Sequence, residues 1–447
     1  MSPAADSVHV LRDTLLKNTV AWCTERSPFY RQRFAEVGNP FRGLEDLARL
    51  PVLHREEVVE HHADLLCDPG TPAAVQHTTG TTGAFLQVYR GPAEQAFVWD
   101  FFGAQLMAEP RPGPRPLYMN LMNAYHGALT PVPSHAYVLS VGVYDKAQAT
   151  QARGVLERTH KIPGVEPHVS LVMGTERMVK ALTAYLLAEG VDLAKSPVKT
   201  LVLFGGHVTP ARQRLLGSLW GAKVQNRYSL TEMFGGAVEY GSDGTWVFDP
   251  HIVPEVVHPR TLEPVREGQG VLLLTGLYPF MQQMPLVRYF TGDVVEPVGE
   301  AQGPGGLQVR YLGRLKRSVL DTSGPRVVPL LLSGPLYEAL EALPDLAISP
   351  RFPDLPGGQG LELTGDLHYA VEHRPAEPGQ GPERITLSLG LRYAPWLFPE
   401  RVKELVRDLV LRLFAIHPEL AARHQDGRLE LKVQPRAANE VAPYDSK

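Results

Sequence analysis

The chain has 447 residues, 44% of them apolar and 21% charged, enough for about three domains of ordinary size and for cores that need no disulfide or metal staple. Its 44 Lys and Arg against 48 Asp and Glu leave a formal net charge of -4, which argues against dominant phosphate-backbone contacts, so nucleic acid is not an expected partner. The two cysteines, Cys23 and Cys67, form no C-x-x-C pair, which disfavours a cysteine zinc site or disulfide framework and fits a reducing compartment.

The opening residues carry Asp6 and no basic run followed by an apolar one, so they do not read as a secretory signal. The most apolar stretches, 198–204 and 270–274, fall far short of the roughly 20 residues that span a bilayer. The expectation is a soluble cytoplasmic protein without a membrane partner.

Residues 7–66 read as helical, with Val8, Leu11, Leu15 and Leu16 at helical spacing and Pro28 suited to a first turn. His54, His61 and His62 lie there among Glu56, Glu57 and Glu60, a solvated face rather than a ligand cluster. From about residue 75, short apolar runs at 86–89, 117–120, 136–141, 169–173 and 199–204 alternate with amphipathic stretches such as 175–188. That alternation predicts α/β layers. Residues 244–312 read mostly as strands, followed by a polar joint at 313–317. Beyond it come a helix within 327–342, strands at 361–372 and 385–393, a helix at 399–416 and a last strand at 428–433. In 399–416, Val402, Leu405, Val406, Leu409, Val410, Leu413 and Phe414 recur at three and four. The segment 376–382, rich in Pro and Gly, reads as an exposed loop.

Three motifs carry chemistry. The first is His77-Thr-Thr-Gly-Thr-Thr-Gly83. Its glycines let the backbone approach a ligand, and its four hydroxyls suit phosphate oxygens, although a hydrophilic turn between strands fits as well. It lacks the pattern of a Walker A loop. The second is Asn226-Arg-Tyr-Ser-Leu-Thr-Glu232, in which Tyr228 offers a flat face for a base and Glu232 a hard oxygen for Mg²⁺. A strand end with a buried Tyr is the plainer account of it. The third, Pro285-Leu-Val-Arg-Tyr-Phe-Thr-Gly-Asp293, places Asp293 after a turn, where it could accept ribose hydroxyls or close an Asx-type turn. No G-x-S-x-G signature of a hydrolase is present.

In this order the three motifs resemble the adenylate-forming ligase superfamily of acyl-CoA synthetases, adenylation domains and luciferases. The phenylacetate-CoA ligase branch is the most similar, supported by Ser27-Pro-Phe-Tyr-Arg31, by residues 41–51 and by residues 248–265. The resemblance covers nearly the whole chain. It implies an α/β fold: a large multi-layer N-terminal domain of sheets and helices (1–314), a hinge (315–318) and a small mobile α+β C-terminal lid (319–447). It implies that Thr78, Thr79, Gly80, Thr81, Thr82 and Gly83 hold the ATP phosphates. Gly205, Gly206 and His207 would line the adenine slot, Tyr228 would stack on adenine and Ser229 would lie beside it. Thr231 would touch the α-phosphate, Glu232 would bind Mg²⁺, Asp293 would take the ribose hydroxyls, and Arg314 would reach the ribose or the phosphates. Tyr125, His126 and Gly127 would line the acyl pocket, with His126 as a polar contact or a wall. Arg317 is the hinge candidate. Lys447 falls in register with the catalytic lysine, with an ordinary terminal Lys as the alternative; Lys432 lies within the last strand.

The implied reaction activates a carboxylic acid, aryl or arylacetic by branch, with ATP and Mg²⁺ to an acyl-adenylate and pyrophosphate. The acyl group then passes to coenzyme A. A carrier-protein thiol or a nitrogen nucleophile is the alternative acceptor, and a nucleotide-binding homologue without ligase activity the alternative class. A homodimer is the family-level expectation. Three departures stand out: Ala84 and Phe85 follow the phosphate loop where the family has Lys, Gln269 replaces a Glu, and Lys316-Arg317 replaces an acidic pair.

Overall fold

The computed structural model describes residues 3–37, 41–78, 86–96, 113–122, 136–240, 244–298, 306–349, 352, 355, 365–376 and 381–443. The N-terminal stretch breaks into α1 (Pro3–Arg26), α2 (Pro28–Arg33), a 3-10 turn (Leu44–Arg49) and α3 (Arg55–Glu60). Ser27 caps α2 by accepting from the Tyr30 N–H, ahead of Pro28 at the first turn. A hairpin of β1 (Ala74–His77) and β2 (Gln87–Arg90) follows.

The main sheet has eleven strands. Its parallel half contains β3 (Arg115–Leu121), β4 (Tyr137–Val141), β5 (Val165–Thr175), β6 (Thr200–Phe204) and β7 (Lys223–Ser229). The crossovers are α4 (Lys146–Glu157), α5 (Glu176–Ala188) and α6 (Pro210–Trp220). Each starts on a side-chain cap, from Asp145, Thr175 and Thr209. Gly221 ends α6 at φ +58, a left-handed position that suits glycine. The sheet turns antiparallel at β8 (Gly236–Tyr240), which pairs with β7. It continues through β9 (Thr245–Phe248), β10 (Ile252–Val257), β11 (Gly270–Gly276), β12 (Tyr289–Pro297) and β13 (Gln308–Arg314). The full order is β10-β11-β12-β13-β9-β8-β7-β6-β5-β3-β4. β7 is therefore where parallel pairing meets antiparallel pairing.

A 3-10 turn (Leu315–Arg317) follows β13, then the hairpin β14 (Val319–Asp321) and β15 (Val328–Leu331). After α7 (Ser333–Glu341) come the short pair β16 (Ile348–Ser349) and β17 (Asp366–Leu367). A three-stranded sheet ends the fold: β18 (Tyr369–Arg374), β19 (Glu383–Leu391) and β20 (Leu429–Ala437), with α8 (Pro399–Ile416) and α9 (Pro418–Gln425) between the last two. β20 runs four residues beyond the expected 433, through Pro435. It lies at the edge of its sheet, where a residue without an N–H is tolerated.

Three main cores hold these parts. One packs α1–α3 against the antiparallel strands, through residues such as Leu16, Leu53, Leu274 and Met284. A second fills the space between the parallel strands and α4–α6, around Leu182, Leu201 and Trp220. The third joins α7, α8 and α9 to the C-terminal sheet, with Leu409 and Leu413 of α8 buried as the periodicity predicts. Among the described residues, no helix is long and apolar enough to cross a membrane.

Candidate functional site

Among the described residues, seven of the predicted ones, Gly205, Gly206, His207, Tyr228, Ser229, Thr231 and Glu232, follow or end β6 and β7 at the switch in pairing, where open sheets leave a crevice. Gly205, Gly206 and His207 follow β6 directly. Gly205 sits at φ +73, a conformation in which a Cβ would be strained. His207 packs against Tyr311 and Tyr337, with ring centroids 5.5 and 6.1 Å apart. Tyr228 and Ser229 end β7, and Thr231 and Glu232 lie in the turn beyond it.

That turn is fixed from behind. Arg227 pairs with Asp249 at 3.0 Å, and Asp249 also accepts from the Gly236 N–H at 2.8 Å. Arg12 of α1 donates to the carbonyls of Asp249 and Pro250 at 3.0 and 3.2 Å. Arg90, fully buried at the end of β2, donates to the Thr231 carbonyl at 3.0 Å and stacks 4.3 Å over the Phe234 ring. Burial brings its guanidinium down to about 10, so it stays a cation at neutral pH.

Tyr228 donates its hydroxyl to Asp293 at 2.7 Å, which ties β7 to β12. Asp293 is 1% exposed. Burial raises its carboxyl above the ordinary range, opposed by Arg314, whose guanidinium stands 3.1 Å away. Burial, and then the Asp293 charge, also push the Tyr228 phenol up. A carboxylate already accepting from one hydroxyl, at the end of a phenol ring, can receive further hydroxyl donors. Asp293, Tyr228 and Arg314, which are 21 to 86 positions apart in sequence, therefore form one group.

Glu232 is 6% exposed and accepts from the Tyr289 hydroxyl at 2.9 Å. Arg55, the first residue of α3, lies 3.4 Å from the same oxygen and donates to the Thr78 hydroxyl at 2.7 Å. Thr78 thus reaches the Glu232 side of the crevice. Among the described residues, no three His, Cys, Asp or Glu side chains could together hold a metal. A single carboxylate fits Mg²⁺ that arrives with phosphate oxygens and keeps its waters, and it does not fit an all-protein metal cage.

Sequence reasoning missed Arg55, Tyr289 and Arg90. Tyr289 lay inside the third motif without a role, and Arg55 had no signal beyond its charge. His54 caps α3 and His61 packs on Phe29, so the N-terminal histidines serve packing. Arg317 is half-buried in the turn after β13. Thr79, Gly80, Thr81, Thr82, Gly83, Tyr125, His126, Gly127 and Lys447 lie outside the described residues, so most of the phosphate loop, the acyl segment and the lysine have no described position.

Phenylacetate-coenzyme A ligase of Thermus thermophilus is 30% identical over 367 residues, 77% of this chain and 79% of that protein. The Escherichia coli ligase of the same name is 24% identical over 314 residues, 65% of this chain and 67% of the relative. Among solved structures, an open conformation of 2-hydroxyisobutyryl-CoA ligase, in complex with 2-HIB-AMP and CoA, superposes with a TM-score of 0.67 at 18% identity. It covers 98% of this chain and 91% of its own. The o-succinylbenzoate CoA synthetase of Bacillus subtilis with its acyl-adenylate intermediate gives 0.52 at 14% identity, over 83% and 68%. No family model matches the chain. The mixed α/β fold, with its large mixed sheet and small C-terminal sheet, is that of acyl-CoA ligase structures.

Proposed function

Since this chain belongs to the adenylate-forming acyl-CoA ligase superfamily, we propose that it joins a carboxylic acid to coenzyme A in two steps, through an acyl-adenylate. The observation that carries the reading is the convergence of Tyr228, Asp293 and Arg314 with Glu232, Thr78 and Arg55 at one sheet crevice. In the first step the acid's carboxylate oxygen attacks the α-phosphorus of ATP, and pyrophosphate leaves with the electron pair of the broken P–O bond. In the second, the thiol of coenzyme A attacks the acyl carbon, and AMP leaves.

Tyr228 gives the adenine a flat wall behind Gly205 and Gly206. Asp293 takes the ribose hydroxyls, and Arg314 opposes the upward push of burial on its carboxyl. Thr231 and Thr78 offer hydroxyls to phosphate oxygens. Glu232 would hold Mg²⁺, which when bound neutralises phosphate charge. The chain's own contribution is positioning and fixed donors aimed at developing charge. The 319–447 segment would turn about Arg317 between the steps, bringing Lys447 to the adenylation site and withdrawing it afterwards. The arylacetic class of acid is supported by the phenylacetate-coenzyme A ligases among the relatives.

The test traps the adenylate with hydroxylamine across a panel of carboxylic acids, with ATP and Mg²⁺ present and CoA absent. A hydroxamate with arylacetic acids is the expected result. In a parallel reaction with CoA in place of hydroxylamine, the same acids should give a thioester. Silence across the panel, with ATP still bound, overturns the ligase reading.

A further inference from the structure

Glu232 is almost fully buried, yet its charge is already met. One oxygen accepts from Tyr289 and faces the Arg55 guanidinium at 3.4 Å. Arg55 is more open, with a side chain 32% exposed against 8% for Glu232. Its second nitrogen holds Thr78 at 2.7 Å, at the head of the Thr- and Gly-rich loop. The guanidinium thus spans the carboxylate and the start of the loop. It is long, forked and permanently charged, the shape that grips phosphate oxygens as readily as carboxylates. The loop itself carries no Lys or Arg between His77 and Gln87.

We propose that Arg55 is a stand-in cation: it neutralises Glu232 in the nucleotide-free protein and exchanges that carboxylate for the ATP phosphates when the metal–nucleotide complex arrives. This rests on the assignment of Glu232 to Mg²⁺ and adds to it an order of arrival. A free divalent ion must displace Arg55 from Glu232 and leaves the guanidinium without an anion. The metal–nucleotide complex displaces it too, but brings phosphates that receive it. Metal binding is therefore weak alone and strong with nucleotide, and Arg55 enforces that difference in both directions.

The experiment measures Mn²⁺ binding by electron paramagnetic resonance on the full chain, with and without α,β-methylene-ATP. Arg55→Gln should tighten binding of Mn²⁺ alone about fivefold, the scale of a partly exposed ion pair. It should weaken binding of the Mn²⁺–nucleotide complex by about tenfold, as a charge-assisted contact is lost. Arg55→Lys, which keeps the charge without the fork, should move both quantities the same way by smaller factors. It also decides the matter if Arg55→Gln loses its near-ultraviolet dichroism. A carrier of a merely structural role would not tighten binding of the free ion. If neither variant gains affinity for Mn²⁺ alone while Glu232→Gln abolishes the nucleotide-linked signal, the stand-in role is wrong and Glu232 remains the metal ligand. If Glu232→Gln leaves that signal intact, the metal assignment itself falls, and the stand-in role with it.

Discussion

Asp293 concentrates the strongest electrostatic conflict of the site on one carboxylate. It is buried, its solvation is lost, and Arg314 and Tyr228 compensate. Asparagine keeps the shape and removes the charge. If Asp293 receives the ribose, Asp293→Asn should raise the KM for ATP by about ten- to a hundredfold, since a hydrogen bond to a charged group is worth roughly 1.5–3 kcal/mol. The KM for the acid should stay within about twofold. Steady-state kinetics with each substrate varied in turn checks this, and an unchanged KM for ATP would remove the ribose assignment. At this scale the sequence was readable where a residue sat in an ordered motif. Tyr228, Glu232 and Asp293 were singled out from spacing and type, although the contact between Tyr228 and Asp293 was not foreseen. Arg55 and Arg90 were invisible. Their partners, Glu232 and the Thr231 carbonyl, lie 177 and 141 positions away, and nothing local marks a cation that reaches so far.

At the scale of elements, His417 joins two helices to a strand. It follows α8 and precedes α9. Its Nε2 accepts from the Leu332 N–H at 3.0 Å, which leaves Nδ1 as the donor to the Leu413 carbonyl at 3.2 Å. This arrangement requires the neutral ring. Burial brings its pKa down to about 4. The unfolded chain, with an ordinary His, therefore binds the proton first as pH falls. The stabilisation is complete above about 6.5 and is lost as pH drops from 6.5 to about 4, a swing of roughly 3 kcal/mol. Thermal unfolding followed from pH 7 to 4 should show that loss for the C-terminal sheet and its helices. His417→Gln should lower the midpoint at pH 7 and flatten the slope; an unchanged slope would refute the assignment. Helix α8 was legible because its apolar residues recur without interruption. The end of β20 was not, because a Pro signals a strand's end until its place at the sheet edge is known.

Across the whole molecule, one cluster ties the C-terminal part to the parallel half of the main sheet. Glu341 ends α7, where a negative charge opposes the helix dipole, yet it meets the first turn of α6, where it is favoured. Thr209 donates to it at 2.6 Å, and Arg212 donates twice, at 3.1 and 2.9 Å. Burial alone would raise this carboxyl, but Arg212 and Thr209 hold it below its ordinary range. Glu341→Gln should weaken this hold on the 319–447 segment, leaving Arg177–Asp366 and His207–Glu338 in place. Trypsin should then cut at Lys316 or Arg317 about tenfold faster, the scale set by losing a hydrogen-bonded charge. Equal digestion of both proteins would show that the cluster does not restrain the segment. The change in element pattern near 313–317 is legible in the sequence, whereas the clamp across it is not. It joins residues 129 and 132 positions apart, each ordinary in its own helix. A different consequence follows from Pro435 on the edge strand β20. A row of free backbone donors and acceptors at a sheet edge invites the same row on a neighbouring copy. Pro435 interrupts it and the cations Lys432 and Arg436 stand on the same strand, so the flank that could template fibrils is poorly suited to recruiting its own kind, and crowded copies of the chain can stay apart.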